Sequence, residues 1–282
     1  GEIAGYREII EPDLTVITNV APGHLEGFGS LEGILAEKVA LAAGVKVAVV
    51  GPDPAALAVA ARKVAARVVT AGLADADLEP SAVVVGADGR ATLTVDGYSV
   101  TVGPIGLHQA KNAMLVWAVA REIGLDPTAV AAALQRVVLP GARGQLLHSG
   151  QLAILNDSYN ANPGSFRAAI DLAKFLCPGR PLVFVAGSML ELGAESGKWH
   201  AEIARLLVDL SPAILVGVGE FADALAPYAG QLGDRLLRAS DAPTAAEMLA
   251  PRLRGGELVV LKGSRGVALE RMLPHLTASL ST

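Results

Sequence analysis

The stretch Asp157-Ser158-Tyr159-Asn160-Ala161-Asn162-Pro163 decides how this chain is read. Before it runs Gln151-Leu152-Ala153-Ile154-Leu155-Asn156, an apolar segment of strand length. After it comes a segment, 165–176, whose apolar residues recur at helical spacing. A carboxylate, a phenol and two amides therefore stand at the C-terminal end of a strand, just ahead of a helix N-terminus. Open α/β sheets bind their ligands at such ends. A helix N-terminus adds free N–H groups and a positive dipole for an anion. The same residue types also favour caps and turns for local reasons. Taken alone, the stretch reads equally well as a strand-to-helix turn.

Outward from it, the second half alternates strands and helices. Apolar runs at 152–156, 182–186, 213–218, 235–238 and 258–261 read as strands. Helical patterns at 165–176, 198–210, 221–228, 244–253 and 267–278 separate and follow them. Crossovers of that length suit a parallel sheet. Leu139-Pro140-Gly141-Ala142-Arg143-Gly144 breaks the pattern and marks a domain boundary, with a hinge expected at 140–144. The first half opens with strands at 14–20, 46–51 and 67–71. Helices are expected at 31–43, capped by Ser30 and stopped by Gly44, and at 54–66. The Gly-rich segment 21–30 reads as an irregular loop. Short strands at 83–86, 91–95 and 98–102, joined by Asp88-Gly89 and Asp96-Gly97, read as antiparallel hairpins. Helices at 108–123 and 127–137 follow, the second after the cap-and-proline pair Asp126-Pro127.

Composition bounds the classes. The 282 residues are 52% hydrophobic and 18% charged, which fits a packed α/β protein and argues against disorder. A net charge of −5 provides no general field for nucleic acid or acidic lipid. The single cysteine, Cys177, excludes an internal disulfide, fits a reducing cytoplasm and reads as a small buried hydrophobe. No apolar run approaches the roughly 20 residues of a membrane span, and no signal peptide is visible. Gly1 stands where an initiator methionine would, so the chain is expected to be a piece of something longer.

Four of the five apolar strands of the second half end in small or polar residues: Asn156-Asp157, Gly187-Ser188-Met189, Gly217-Val218-Gly219-Glu220 and Lys262-Gly263-Ser264-Arg265-Gly266. These ends are expected on one edge of one sheet. Glycine there lets a ligand approach the backbone, although tight turns explain the glycines equally well. Lys262 and Arg265 are suited to phosphate or carboxylate, arginine with its planar fork. Among the histidines, His24 lies in the Gly-rich loop near Glu26 and Lys38, where a lone histidine is ordinarily solvated. His108 opens a helix beside Gln109 and Asn112, which N-terminal capping also explains. His200 reads as a surface residue of its helix.

Together these segments resemble the Mur ligase family, and within it the MurF-type branch. Five strings carry the resemblance, in the family's order and spacing: Gly1-Glu2-Ile3-Ala4, the run from Asn19 to Ser30, Asp157 to Pro163, Met189-Leu190-Glu191-Leu192-Gly193 and Lys262-Gly263-Ser264-Arg265. The resemblance covers nearly the whole chain. It implies part of a central ATP-binding domain over 1–139, a parallel sheet plus a small antiparallel sheet. A Rossmann-like C-terminal α/β domain over 140–282 would follow. It further implies an ATP- and Mg2+-dependent ligase that adds D-alanyl-D-alanine to UDP-N-acetylmuramoyl-tripeptide in peptidoglycan synthesis, through an acyl phosphate. A cytoplasmic monomer is expected, with no nucleic-acid or membrane partner.

Residue by residue, His24 matches the family's magnesium-binding histidine and Lys38 its carbamylated lysine; a carbamate would offer the anionic oxygen that magnesium prefers. His108 and Asn112 match the adenine-side motif, with Gln109 where an asparagine is usual. Arg143 matches a linker arginine that reaches toward the nucleotide. Asp157, Tyr159 and Asn160 match residues that close over ATP, and Lys262, Ser264 and Arg265 are candidates for the substrate side. Ser188 replaces a common aspartate and takes no role from the family. The sequence contains no P-loop string Gly-x-x-Gly-Lys-Thr/Ser. The family's uridine-nucleotide-binding domain and a further metal-binding glutamate are missing too, and Glu2 is not that glutamate. The chain by itself is therefore expected to be inactive. The alternatives are another amide ligase of the superfamily, a non-catalytic scaffold protein, and a generic nucleotide-binding module.

Overall fold

Short runs of β-branched residues set the framework of both halves. The computed structural model describes residues 2–23 and 25–278, and the chain divides into two units, Gly1–Val138 and Leu139–Thr282. In the first, helix α1 (Glu2–Ile10) precedes β1 (Leu14–Ile17), α2 (Leu25–Phe28), α3 (Leu31–Ala40), β2 (Val47–Val50), α4 (Ala55–Ala61) and β3 (Val68–Thr70). The three strands pair in parallel in the order β1-β2-β3. Ser30 caps α3, its Oγ accepting the Gly33 N–H at 3.1 Å.

Three local expectations are corrected here. Segment 21–30 is not wholly irregular, because Leu25–Phe28 forms α2. Helix α3 ends at Ala40, three residues early, in turns that close at Gly44 with φ of +75°. Helix α4 ends at Ala61 rather than 66, since the Ala66 N–H is taken by Val45 O and the Val64 carbonyl by Gly44 N–H. Those bonds to the α3–β2 connection draw the backbone out of the helix.

The antiparallel sheet consists of β4 (Ala82–Val85), β5 (Arg90–Val95) and β6 (Tyr98–Ile105). Asp96 and Gly97 both take positive φ, +49° and +83°, the two-residue turn whose twist matches the strands it joins. Helices α5 (Leu107–Glu122) and α6 (Pro127–Gln135) complete this unit. The Asp126 carboxylate caps α6 by accepting Ala129 N–H at 2.9 Å.

The second unit contains β7 (Gln145–Ser149), β8 (Leu152–Asp157), α7 (Pro163–Leu176), β9 (Leu182–Gly187), α8 (Ser196–Asp209) and β10 (Ile214–Val218). It continues with α9 (Glu220–Ala224), α10 (Ala229–Leu232), β11 (Leu236–Ala239), α11 (Ala242–Leu249), β12 (Leu258–Lys262) and α12 (Leu273–Ala278). Six strands form one sheet in the order β11-β10-β9-β12-β8-β7. All neighbours are parallel except β7, which pairs antiparallel with β8. The last strand in sequence is thus inserted between β8 and β9, and every residue of β12 is buried. One face packs on α11 and α12 through Val259, Leu261, Ala246, Leu249 and Leu276. On the other, Phe184 stacks on Phe166 of α7, which meets Phe221 of α9.

Edge strand β7 is not expected from the sequence. Its residues, Gln-Leu-Leu-His-Ser, are too short and polar to announce a strand, and it exists by pairing with β8 across the turn Gly150-Gln151. Three expected helices are interrupted. Segment 221–228 splits after Ala224, 244–253 changes to a 3-10 turn after Leu249, and 267–278 begins as 3-10 turns before α12. Pro227, Pro251 and Pro274 lie in these segments, and each lacks the N–H that an uninterrupted helix needs. Among the described residues no helix is long and apolar enough to cross a membrane.

Close packing in the second unit gives a paired test. A Cβ on Gly217 of β10 would lie 2.7 Å from Phe221 O and 2.8 Å from its carbonyl carbon, both backbone atoms. Gly217→Ala is expected to lower stability by about 1–3 kcal/mol, as overpacked sites do. A Cβ on Gly197 of α8 would meet nothing within 4 Å, so Gly197→Ala is expected to be neutral or stabilising by up to about 1 kcal/mol. Urea denaturation of both variants checks the contrast.

Candidate functional site

Four parallel neighbours, β10, β9, β12 and β8, bring their C-terminal ends to one edge of the second sheet. The register sets Lys262 beside Asp157 and Leu261 beside Asn156. Lys262, 2% exposed at its side chain, places its ammonium 2.7 Å from Asp157 Oδ2 and donates to Asn160 O at 2.8 Å. Burial pushes the Lys262 pKa down, and the Asp157 carboxylate opposes that shift. Asp157 Oδ1 accepts the Gly144 N–H at 3.1 Å, and Tyr159 N–H donates to Ala142 O at 3.0 Å. The linker segment 142–144 is thereby tied to the end of β8.

The turn after β8 separates local from outward-facing groups. Asn162 is the N-cap of α7: its side chain accepts Ser165 N–H at 2.8 Å while Ser165 Oγ accepts Asn162 N–H at 3.0 Å. Ser158 donates to Asn156 Oδ1 at 2.7 Å inside the unit. Asn160 is exposed, and its Oδ1 accepts the Ala161 N–H. The Arg143 guanidinium lies 3.8 Å from the Tyr159 ring centroid and that of Arg265 lies 5.5 Å from it. The Tyr159 phenol is pulled below its ordinary value, chiefly by a hydrogen bond and charge from Arg143 and then by the charge of Arg265.

Ser264 joins three loops. Its Oγ accepts Leu190 N–H at 3.0 Å and donates to Ala161 O at 3.5 Å, while its N–H donates to Ser188 O at 3.0 Å. Ser188 Oγ accepts Glu220 N–H at 2.8 Å and donates to Val218 O at 3.4 Å. Gly219 has a φ of +63°, and a Cβ there would lie 2.4 Å from Ser188 Oγ. Arg143, Tyr159 and Arg265 are therefore the outward-facing members of the cluster, while Lys262 and Ser264 face inward. His200, expected at the surface, is instead buried, and its Nε2 accepts Met189 N–H at 2.9 Å. The sequence signal for this is its place at the helical spacing of Ile203, Ala204 and Leu207, the buried side of α8.

In the first unit Lys38 lies on α3 and its Nζ donates to Asn19 O at 2.8 Å. Partial burial lowers its pKa, favouring the neutral amine. His108 and Asn112 lie in the first turns of α5, and Asn112 Nδ2 donates to Gln109 Oε1 at 3.3 Å. His24 lies outside the described residues. Among the described residues no group of three or more His, Cys, Asp or Glu side chains is placed to hold a metal. Lys38 as an ammonium would repel a cation, while as a carbamate it would offer one an anionic oxygen. The second unit's rim does suit a polyphosphate, since two exposed guanidinium groups converge on one ring at a glycine-bordered sheet edge.

Comparison with known proteins covers both units. Residues 1–120 match the Mur ligase middle domain, and residues 142–265 match the Mur ligase, glutamate ligase domain. The UDP-N-acetylmuramoyl-tripeptide–D-alanyl-D-alanine ligase of Mycobacterium bovis is 32% identical over 308 aligned residues, covering 99% of this chain and 60% of that protein. The crystal structure of MurF ligase from Thermotoga maritima in complex with ADP superposes with a TM-score of 0.82 at 25% identity, over 100% of this chain and 65% of that one. MurF from Acinetobacter baumannii gives a TM-score of 0.83 at 24% identity, over 98% of this chain and 62% of that one, a likeness of fold. The chain thus spans about three-fifths of the length of the curated relatives it matches.

The Asp157–Lys262 pair yields a prediction with a definite pH dependence. Asp157→Asn would leave a buried ammonium without its counter-ion, at a cost of about 3 kcal/mol in the stability of the second unit. Burial already depresses the folded-state pKa of Lys262, and losing Asp157 depresses it further. The folded variant then binds fewer protons than the unfolded chain, so its stability rises with pH. The deficit relative to wild type is expected to be full below the folded-state pKa of Lys262 in the variant and to shrink as pH rises from there to the wild-type folded-state pKa, both lying below the ordinary lysine value of about 10.4. Urea unfolding of both proteins across that range is the measurement.

Proposed function

Since the chain belongs to the Mur ligase family, we propose that it forms part of an ATP-dependent ligase that adds D-alanyl-D-alanine to UDP-N-acetylmuramoyl-tripeptide. On this reading 1–139 is the C-terminal part of the central ATP-binding domain and 140–282 the C-terminal domain. The observation that carries it is the Arg143–Tyr159–Arg265 cluster at the C-terminal edge of the second sheet, in a chain similar to an ADP-bound MurF ligase. ATP supplies the phosphoryl group that activates the tripeptide carboxylate. Carboxylate oxygen bonds to the γ-phosphorus as ADP leaves; the dipeptide amine then bonds to the acyl carbon as phosphate and a proton leave. Arg143 and Arg265 hold phosphate oxygens and disperse their charge. Tyr159 keeps both guanidinium groups in place, and Asn160 offers its exposed amide to the nucleotide or substrate. Lys262 and Ser264 act from behind, by fixing the turns that carry these groups.

In the first unit, His108 and Asn112 are proposed for the adenine side. Lys38 is proposed to become a carbamate: its neutral amine attacks the carbon of CO2, an N–C bond forms, and a proton leaves to water. His24 and the Lys38 carbamate are proposed to contribute to a magnesium site that these residues alone do not complete. With no P-loop string in its sequence, the 282-residue chain is proposed to carry out no ligation by itself. The UDP-linked substrate points to the cytoplasm, and a monomer is proposed.

Two measurements test this reading. Calorimetry on the 282-residue chain should show ADP binding that weakens about tenfold in Arg143→Ala and in Arg265→Ala, with a wild-type affinity that falls as salt rises. D-alanyl-D-alanine should perturb amide signals near Arg265 where single amino acids do not; equal perturbation by single amino acids would favour a sister ligase, and no ADP binding would refute the reading. Separately, 13C-labelled bicarbonate should give a carbamate resonance that Lys38→Arg removes. Identical spectra from the two proteins would exclude the carbamate.

A further inference from the structure

A buried histidine, His200, stands behind the loop that follows β9. His200 is 1% exposed, and it is approached from three elements. From the loop after β9, Met189 N–H donates to Nε2 at 2.9 Å. From its own helix α8, Ser196 O lies 2.8 Å from Nδ1 and Ser196 Oγ lies 3.1 Å from it. From α9, Glu220 Oε2 stands 3.6 Å from Nδ1, and the Phe221 ring packs against the imidazole at 4.7 Å between centroids. Ser196 Oγ also donates to Glu220 Oε2 at 2.6 Å.

These contacts select one form of the ring. An amide N–H pointing at Nε2 needs a lone pair there, so the proton sits on Nδ1 and is donated to Ser196 O. A doubly protonated ring would set two donors, Nε2–H and Met189 N–H, against each other. The next amide along, Leu190 N–H, donates to Ser264 Oγ at 3.0 Å, and Ser264 N–H donates back to Ser188 O at 3.0 Å. Leu190 also packs over Gly266, where an added Cβ would meet its Cδ1 at 2.8 Å. Arg265 lies between these two fixed points, Ser264 and Gly266.

We propose that His200 is a positioning residue for the cationic rim: its neutral ring holds the Met189-Leu190 backbone, which through Ser264 and Gly266 sets where the Arg265 guanidinium lies. The proposal rests on the phosphate-binding reading only for what Arg265 then contacts. It differs from a plain core histidine, whose packing on Phe221 a phenylalanine would reproduce without the acceptor.

The experiment is amide NMR on the whole 282-residue chain with His200→Phe and His200→Gln. Glutamine can place an acceptor near the Nε2 position; phenylalanine keeps the ring and loses it. In wild type the His200 15N shifts should report a protonated Nδ1 and an unprotonated, hydrogen-bonded Nε2. In H200F the Met189 amide should exchange at least tenfold faster, and signals of Leu190, Ser264 and Arg265, including the Arg265 side chain, should move. H200Q should restore them. Unchanged Met189 exchange in H200F, or changes that stop before Arg265, would overturn the proposal. If H200F does not fold, Ser264→Ala cuts the next link: Leu190 and Arg265 signals should move while Met189 exchange stays slow, and an unmoved Arg265 overturns the proposal equally. None of these readouts needs a nucleotide, so absence of ADP binding would count against the proposed function and leave this inference to be decided by the amides.

Discussion

Lys262 brings a positive charge to the end of a strand whose every residue is buried. A charge removed from water is costly unless an opposite charge and further hydrogen bonds replace the lost hydration. Asp157 provides the first and Asn160 O the second. The sheet order makes this possible, since β12 lies against β8 with Lys262 and Asp157 in register. Asp157 in turn accepts from Gly144, so its carboxylate joins the end of β8, the end of β12 and the segment just before β7, all within the second unit.

Around the pair, polar groups divide into two kinds. Lys262, Ser264, Asn162 and Ser188 use their hydrogen-bonding capacity inside the unit, on neighbouring turns. Arg143, Asn160 and Arg265 remain exposed, with Tyr159 half-buried between the two guanidinium groups. Lysine and arginine differ here as their chemistry suggests: the ammonium is satisfied by two oxygens in a closed space, while the planar guanidinium stacks on a ring and still presents donors outward.

Ser188 shows how one hydroxyl can satisfy two backbone groups. Its hydroxyl both accepts from Glu220 N–H and donates to Val218 O, which a carboxylate, an acceptor only, could not do. The close approach of Gly219 to that oxygen leaves no room for a Cβ, so serine and glycine work as a pair.

Strand and helix types, the alternation of the second half and the Asp96-Gly97 hairpin were legible in the sequence because they follow from periods of two and 3.6 residues and from backbone preferences of single residues. The seven-residue string from Asp157 was legible for the same reason, since strand, turn and cap are all local. What the string could not tell was which of its polar groups serve the helix and which serve the site: Asn162 went to the cap, Asp157 to a lysine on the far side of the sequence. Strand β7 and the inward turn of Lys262 and Ser264 depended on strand order and register, which bring together residues as far apart in the chain as Lys262 and Asn160. The sequence by itself determined most of the elements and the residue types at their ends. Only the tertiary structure decided which of those residues face water, because that depends on a neighbour no local pattern names.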